Sequence, residues 1–336
     1  MNDGYALSAS EVLQDWQQRM IKLRRRLISL PAETAESFMS IPWIENNFFY
    51  ARYQAYRDRH QSKLLPLNQT DQKIVDSLVQ TGLCRTSLQE LQIPDTEAFL
   101  QAARAIFGEL EQKRSFAQGT LNASFDQLIQ YPNFLTWGLQ DRLLKMVENY
   151  LELPVAYDTF TCTLTLKAAQ QAGTRLWHID HEDRRMIKLI IYLTDVDQNS
   201  GPFQYIQPEI SLDLLKSVPS RFDFLTEQEL KQYLPASMES PFTSCTGKAG
   251  TVIFVDTARS YHRGKPPSAG DRQAVFFGYF SRRPRYPFRC GRSLLSKPQL
   301  NSLSAHLPAE KQACLNWQQS LPTVAKLIPR YRYYNL

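Results

Sequence analysis

Apolar residues recur along the first 150 positions at intervals of three and four. Phe99, Leu100, Ala103, Ile106, Phe107 and Leu110 share one face of a 3.6-residue period, and Pro94-Asp95 just upstream supplies a start signal. Leu139, Leu143, Met146, Val147, Tyr150 and Leu151 repeat the pattern until Pro154 ends it, and Val12, Trp16, Met20 and Leu23 suggest an earlier helix. Each stripe predicts an amphipathic helix with its apolar face in a core. From Val155 the period shortens to two: 160–167 alternates, 186–194 is a near-continuous strand, and 251–256 and 273–281 follow between polar turns. The chain therefore predicts an α+β protein. Residues 1–150 form a mainly helical region packing on a double-stranded β-helix, jelly-roll or cupin-like, over 151–290, with a helical extension over 291–336.

Within 186–194 the odd positions Ile187, Leu189, Ile191 and Leu193 are aliphatic, whereas the even positions are Met186, Lys188, Ile190, Tyr192 and Thr194. The odd face is expected beneath helices and the even face lining the barrel. Residues 208–245 interrupt the strands with Pro208, a helix-like Leu212-Asp213-Leu214-Leu215-Lys216 and a polar stretch from Thr226. Such an insertion suits a lid or substrate-selecting loop, or a surface decoration without function. The aromatics of Arg330-Tyr331-Arg332-Tyr333-Tyr334 are expected to pack back on the body.

Composition narrows the class. A chain of 336 residues with 43% hydrophobic content can bury a sizeable core. Apolar runs such as 189–193 are too short to cross a bilayer and 1–10 lacks the apolar core of a signal peptide, so a soluble, cytoplasmic protein without a membrane span is expected. Five cysteines form no CxxC pair, which speaks against a disulfide framework or a thiolate zinc site. The net charge of +6 gathers in Lys22-Leu23-Arg24-Arg25-Arg26 and in Arg282, Arg283, Arg285, Arg289 and Arg292. Either cluster reads as a solvated face, and no nucleic-acid partner is expected. The second follows the strand that bears Arg272, which gives it an alternative use as a handle for an anionic substrate group at the mouth of a cavity.

The chemistry lies in four residues. In an extended strand, Trp177-His178-Ile179-Asp180 projects His178 and Asp180 to the same side. His262, in Tyr261-His262-Arg263-Gly264, would complete a two-histidine, one-carboxylate face whose remaining positions stay open, an arrangement suited to Fe(II) and O2. Arg272 shares a strand face with Ala274, Phe276 and Gly278 and has no acid on that face, so it suits a ligand carboxylate held by two parallel hydrogen bonds. A dicarboxylate such as 2-oxoglutarate would then chelate iron at one end and meet Arg272 at the other. Lys188 inside a barrel needs a partner; it faces a bound carboxylate, or solvent if the strand is misread. Thr165 and Lys167 share a face of the earlier strand and are candidates for the same service. His181 points to the opposite strand face, away from the ligand set. Gln204 and Trp177 are candidates to orient the imidazoles.

These motifs, together with Tyr192-Leu193-Thr194-Asp195-Val196-Asp197 leading to Ser200-Gly201-Pro202-Phe203, resemble the phytanoyl-CoA dioxygenase branch of the Fe(II)/2-oxoglutarate-dependent oxygenases over roughly residues 150 to 285. The resemblance implies Fe(II) held by His178, Asp180 and His262, 2-oxoglutarate anchored on Arg272, and O2 as co-substrate. It also implies hydroxylation of a small molecule with release of succinate and CO2. Related halogenases carry a small residue where this chain keeps Asp180. Phe160, Tyr192, Phe203 and Phe276 with the trailing arginines favour a partly apolar substrate with an anionic group. Two other readings use the same residues. One is a jelly-roll isomerase or hydrolase with zinc or manganese; the other is a non-catalytic module with a vestigial metal site and basic clusters that dock RNA or an acidic protein.

Overall fold

The computed structural model describes residues 16, 20, 29–114, 119–167, 169–219, 224–235, 238, 241–291 and 295–329. Helices up to Leu151 include α1 (Ala51–Gln61), α2 (Gln69–Thr81), α3 (Thr96–Gln112), α4 (Pro132–Trp137) and α5 (Asp141–Leu151). Asn68 caps α2 by accepting from the Asp71 amide, and Gly82 closes it in the left-handed conformation. The stripes of α3 and α5 are buried as their spacing predicts, from Phe99 to Leu110 and from Leu143 to Leu151. The earlier stripe behaves differently. Trp16 and Met20 are helical but 59% and 44% exposed, so they are not core residues. A helical period fixes which face is apolar, not what covers it. Val12, Leu23, the cluster 22–26, Arg292 and the aromatics of 330–334 lie outside the described residues.

The strands are β1 (Leu83–Ser87), β2 (Thr120–Asn122), β3 (Val155–Thr165), β4 (Ile187–Tyr192), β5 (Phe203–Ile206), β6 (Phe242–Cys245), β7 (Thr251–Asp256), β8 (His262–Gly264) and β9 (Arg272–Ser281). They form two antiparallel sheets, in the orders β1-β7-β4-β9-β3-β2 and β6-β5-β8. Isolated bridges from Trp177 to Leu225 and from His178 to His262 extend the smaller sheet beyond β8. β1 and β2 come from the stretch whose composition reads as helical; both are short edge strands with too few apolar positions to register as alternation. α6 (Pro208–Ser217) and α7 (Glu227–Lys231) occupy the 208–245 stretch, which also supplies β6.

Alternation along β4 sorts the two faces of the larger sheet. Ile187, Leu189 and Ile191 pack with Phe99, Phe134, Val147 and their neighbours on the helices, while Ile190 and Tyr192 pack with Phe203, Tyr205 and Cys245 of the smaller sheet. Phe277 of β9 anchors the helical side. Its ring lies 5.4 Å from Phe134, 5.6 Å from Trp137, 5.9 Å from Phe99 and 6.0 Å from Tyr157. Leu300 of α8 (Lys297–Ser304) and Leu315 of α9 (Ala309–Leu315) join the same core. A bulge in β3 at Asp158 turns that carboxylate toward the C-terminal segment, where it accepts from the Gly291 amide and the Trp317 indole. Among the described residues no helix is long and apolar enough to cross a membrane.

Replacing Phe277 by alanine leaves a void among four aromatic rings and is expected to cost about 3–5 kcal/mol in urea unfolding. A loss below about 1 kcal/mol would show that the helices do not depend on this ring.

Candidate metal centre

The two halves of the site meet through backbone. The His178 amide donates to the His262 carbonyl at 3.1 Å and the His262 amide returns the bond at 2.9 Å. Residues that exchange both bonds in an antiparallel pair present their side chains on the same face. The imidazole centroids are accordingly 4.2 Å apart. Beyond His178 the chain leaves the ladder, and the Asp180 amide donates to the Thr257 carbonyl at 3.0 Å, in the turn between β7 and β8. Ligand atoms of His178, Asp180 and His262 all lie within 4.8 Å of one another, and all three residues are buried.

Each ring is held in one tautomer. His178 Nδ1 sits 2.9 Å from the Leu176 carbonyl and His262 Nδ1 3.0 Å from the Ser260 carbonyl. A carbonyl only accepts, so Nδ1 carries the proton and Nε2 is left as a lone pair. His262 Nε2 is buried without a hydrogen-bond partner, 3.8 Å from Asp180 Oδ2. Burial, reinforced by the adjacent His178 ring, drives the His262 pKa well below the usual histidine value and keeps it neutral. Two imidazole nitrogens and one carboxylate oxygen close to one another suit a divalent transition metal. Phe224 and Phe203 stand against His178 and His262 at 5.3 and 5.7 Å between ring centroids.

Lys188 is neither solvent-facing nor directed at an empty part of the cavity. Its Nζ lies 2.7 Å from Asp180 Oδ2, a pair in which the carboxylate is wholly buried. Arg272 begins β9 and is 5% exposed. Its Nη1 donates to the Gly201 carbonyl, its Nη2 donates to Thr165 Oγ1 at 3.3 Å, and its Nε is buried without a partner. Among the described residues no carboxylate pairs with it. Burial lowers the Arg272 pKa, and the group stays cationic. Two glycines make room for it. Gly201 has φ of 73° and no space for a Cβ beside the Lys265 carbonyl, and a Cβ at Gly264 would come within 2.9 Å of Arg272 Nη2. Gly264 is two residues along β8 from His262, on the same strand face, so the guanidinium stands roughly 7 Å along the strand from that histidine.

Other expected roles fall elsewhere. The Lys167 side chain is exposed, and His181 is half-buried outside the ligand cluster. Gln204 accepts from Arg263 Nε and donates to Ser244 Oγ, and Trp177 lies 4.6 Å beneath the Arg263 guanidinium. Main-chain carbonyls orient the imidazoles instead. Arg282, Arg283 and Arg285 follow the end of β9 opposite Arg272, so they do not flank that residue; Arg289 pairs with Glu36.

Sequence reasoning missed two buried carboxylates that set the loops around the site. Asp256 accepts from the Met186 and Ala258 amides and from the Tyr150 hydroxyl, tying the ends of both loops that carry the candidate ligands to α5. Asp183 accepts from the amides of Arg184, Ser281 and Arg285. An acid closing the apolar run Thr251-Val252-Ile253-Phe254-Val255 was the legible signal for Asp256. Burial raises the Asp256 pKa to about 6.

No protein-family model and no curated protein matches the chain. Solved structures similar to it include that of HygX from Streptomyces hygroscopicus with nickel and 2-oxoglutarate bound, at 18% identity and a TM-score of 0.42 over 64% of this chain and 88% of that one. Another is the non-heme alpha-ketoglutarate-dependent carbocyclase SnoK from nogalamycin biosynthesis, at 18% identity and a TM-score of 0.42 over 64% and 84%. EctD from S. alaskensis in its apo form aligns at 16% identity and a TM-score of 0.44 over 69% and 86%. The chemistry of the site rests on its own side chains.

A divalent ion held by Asp180 would have to compete with Lys188. Lys188→Met should therefore bind Ni(II) about tenfold more tightly in anaerobic calorimetry, whereas His262→Ala should lose binding by on the order of a hundredfold; equal affinity in Lys188→Met would show that the ammonium does not oppose the ion. Asp256 supports a second prediction. Its folded pKa lies above the unfolded value, so the folded state holds the extra proton between about pH 4 and 6, and this group's contribution to stability is lost as pH rises through that window. Asp256→Asn should remove that fall in a series of thermal melts, leaving a flatter profile than the parent chain.

Proposed function

We propose that this chain is an Fe(II)/2-oxoglutarate-dependent oxygenase of the phytanoyl-CoA dioxygenase-like type, hydroxylating a small molecule with release of succinate and CO2. The observation that carries this reading is the pairing of two Nδ1-protonated imidazoles and a carboxylate within 4.8 Å with a buried guanidinium that no described carboxylate neutralises. Strand order supports the accompanying fold. From β3 onward the chain crosses repeatedly between the two sheets, with β3, β4, β7 and β9 in the larger one and the His178 bridge, the β5–β6 pair and β8 in the smaller one, an order compatible with a double-stranded β-helix.

In this reading His178, Asp180 and His262 hold the metal on one face. Fe(II) would supply the redox chemistry that couples O2 and 2-oxoglutarate to oxidation of a C–H bond. Arg272, fixed by Gly201 and Thr165, presents its remaining donors to the remote carboxylate of the keto-diacid, and the spacing of roughly 7 Å along β8 suits a five-carbon diacid spanning the gap. Lys188 neutralises Asp180, and with that carboxylate engaged by a metal its ammonium would be available to a substrate carboxylate. Phe203 and Phe224 keep bulk water from the imidazoles. The substrate is a small, partly apolar molecule with an anionic group, and no disulfide joins the five cysteines, which is compatible with a cytoplasmic setting.

The test is succinate release under air. It should require Fe(II) and 2-oxoglutarate, and Arg272→Ala should lower kcat/KM for 2-oxoglutarate by on the order of a hundredfold, with Arg272→Lys recovering part of the loss. Metal retention without succinate from the parent chain would assign the site to a redox-neutral reaction.

A further inference from the structure

A cavity of about 820 Å³ is lined by none of His178, Asp180, His262, Lys188 and Arg272. Its walls come from the segment around Phe38, from α1, from the stretch that follows β9 and from the segment around Val324. That volume falls within the roughly 300–1,000 Å³ of small-molecule sites. Most of the surface is apolar, and seven arginine and lysine side chains line the cavity, whereas among the described residues no aspartate or glutamate does.

Three of those cations converge on one ring. The guanidinium carbons of Arg283, Arg59 and Arg52 lie 4.6, 5.0 and 5.5 Å from the Tyr56 centroid. Arg52 Nε also donates to the Tyr56 hydroxyl at 2.9 Å. Among the described residues none of the three forms an ion pair, whereas Arg184 and Arg285 on the same wall share Glu45 at 2.5 and 3.3 Å. The ring face offsets only part of the mutual repulsion of three guanidiniums, and an anion set between them would remove it. Beside this cationic corner the cavity is apolar, and Phe38 and Val324 on its lining are 56% and 73% exposed.

We propose that this cavity binds an amphiphilic anion, with a carboxylate or phosphate head at Arg52, Arg59 and Arg283 and an apolar body along Phe38, Phe49 and Phe288. The site stands on its own geometry and does not depend on the chemistry of the metal centre. The exposed setting of the three guanidiniums makes recognition electrostatic, so affinity falls with ionic strength.

Calorimetric titration of the full chain with dodecanoate and dodecyl phosphate, below their micellar concentrations, tests it. Both anions should bind. Dodecanol should bind at least about tenfold more weakly, and inorganic phosphate should not bind measurably. Arg59→Glu and Phe38→Glu, both at exposed positions that spare the fold, should each weaken the anions at least about tenfold, while Arg272→Ala should leave them unchanged. If dodecanol binds as tightly as the anions, if either glutamate variant binds like the parent, or if Arg272→Ala abolishes binding, the assignment fails. Retained succinate release in Arg59→Glu would separate this site from the metal centre, and loss of anion binding there with catalysis intact is the expected pattern.

Discussion

The reciprocal backbone pair between His178 and His262 is the constraint on which the site depends. It lies at the margin of the smaller sheet, where β8 is bonded to β5 on one side and to the short segment at His178 on the other. Because the two residues exchange both hydrogen bonds, their side chains have no choice of face. A slip of one residue would send one imidazole to the other side of the sheet and dissolve the ligand set. Asp180 is placed by a second main-chain bond, to Thr257, so all three candidate ligands are positioned by backbone.

Around that pair the protein buries charge in a particular order. Lys188 and Asp180 neutralise each other, Asp256 and Asp183 are met by amide and hydroxyl donors, and Arg272 alone relies on neutral acceptors. A buried guanidinium facing a carbonyl and a hydroxyl is incompletely compensated. Its cost would be offset by an anion, as the proposed function requires. The two buried acids serve the architecture instead. By collecting amides from the loops on either side of the ligands, they hold those loops where the ladder hydrogen bonds have ended.

Much of this was legible in the sequence wherever the relevant relation is local. The spacing of His178 and Asp180 is a strand period, the stripes of α3 and α5 are helical periods, and the alternation along β4 separated helix-facing from sheet-facing side chains. Relations between distant segments were not legible. Nothing near Lys188 in sequence names Asp180 as its partner, and Trp16 and Met20 carry a helical period that no described residue buries. The arginines after β9 follow Arg272 in sequence, yet a ten-residue strand carries them to its other end. Short edge strands such as β1 and β2 are defined by the neighbours they pair with, and a window of five or three residues contains no such information.

Charge also links the metal and the keto-diacid in the reading proposed above. With His262 neutral, the site holds one carboxylate against an ammonium and a guanidinium, and is already positive. A divalent cation entering alone would deepen that imbalance in a poorly screened interior, and a dianion entering alone would have no cation at its chelating end. Entering together they cancel, and the site returns to its original charge. The two ligands would therefore assist one another with a coupling free energy that comes from electrostatics rather than from any change of shape. In that reading Lys188 would set how strong the coupling is, because its ammonium is the charge that already neutralises Asp180.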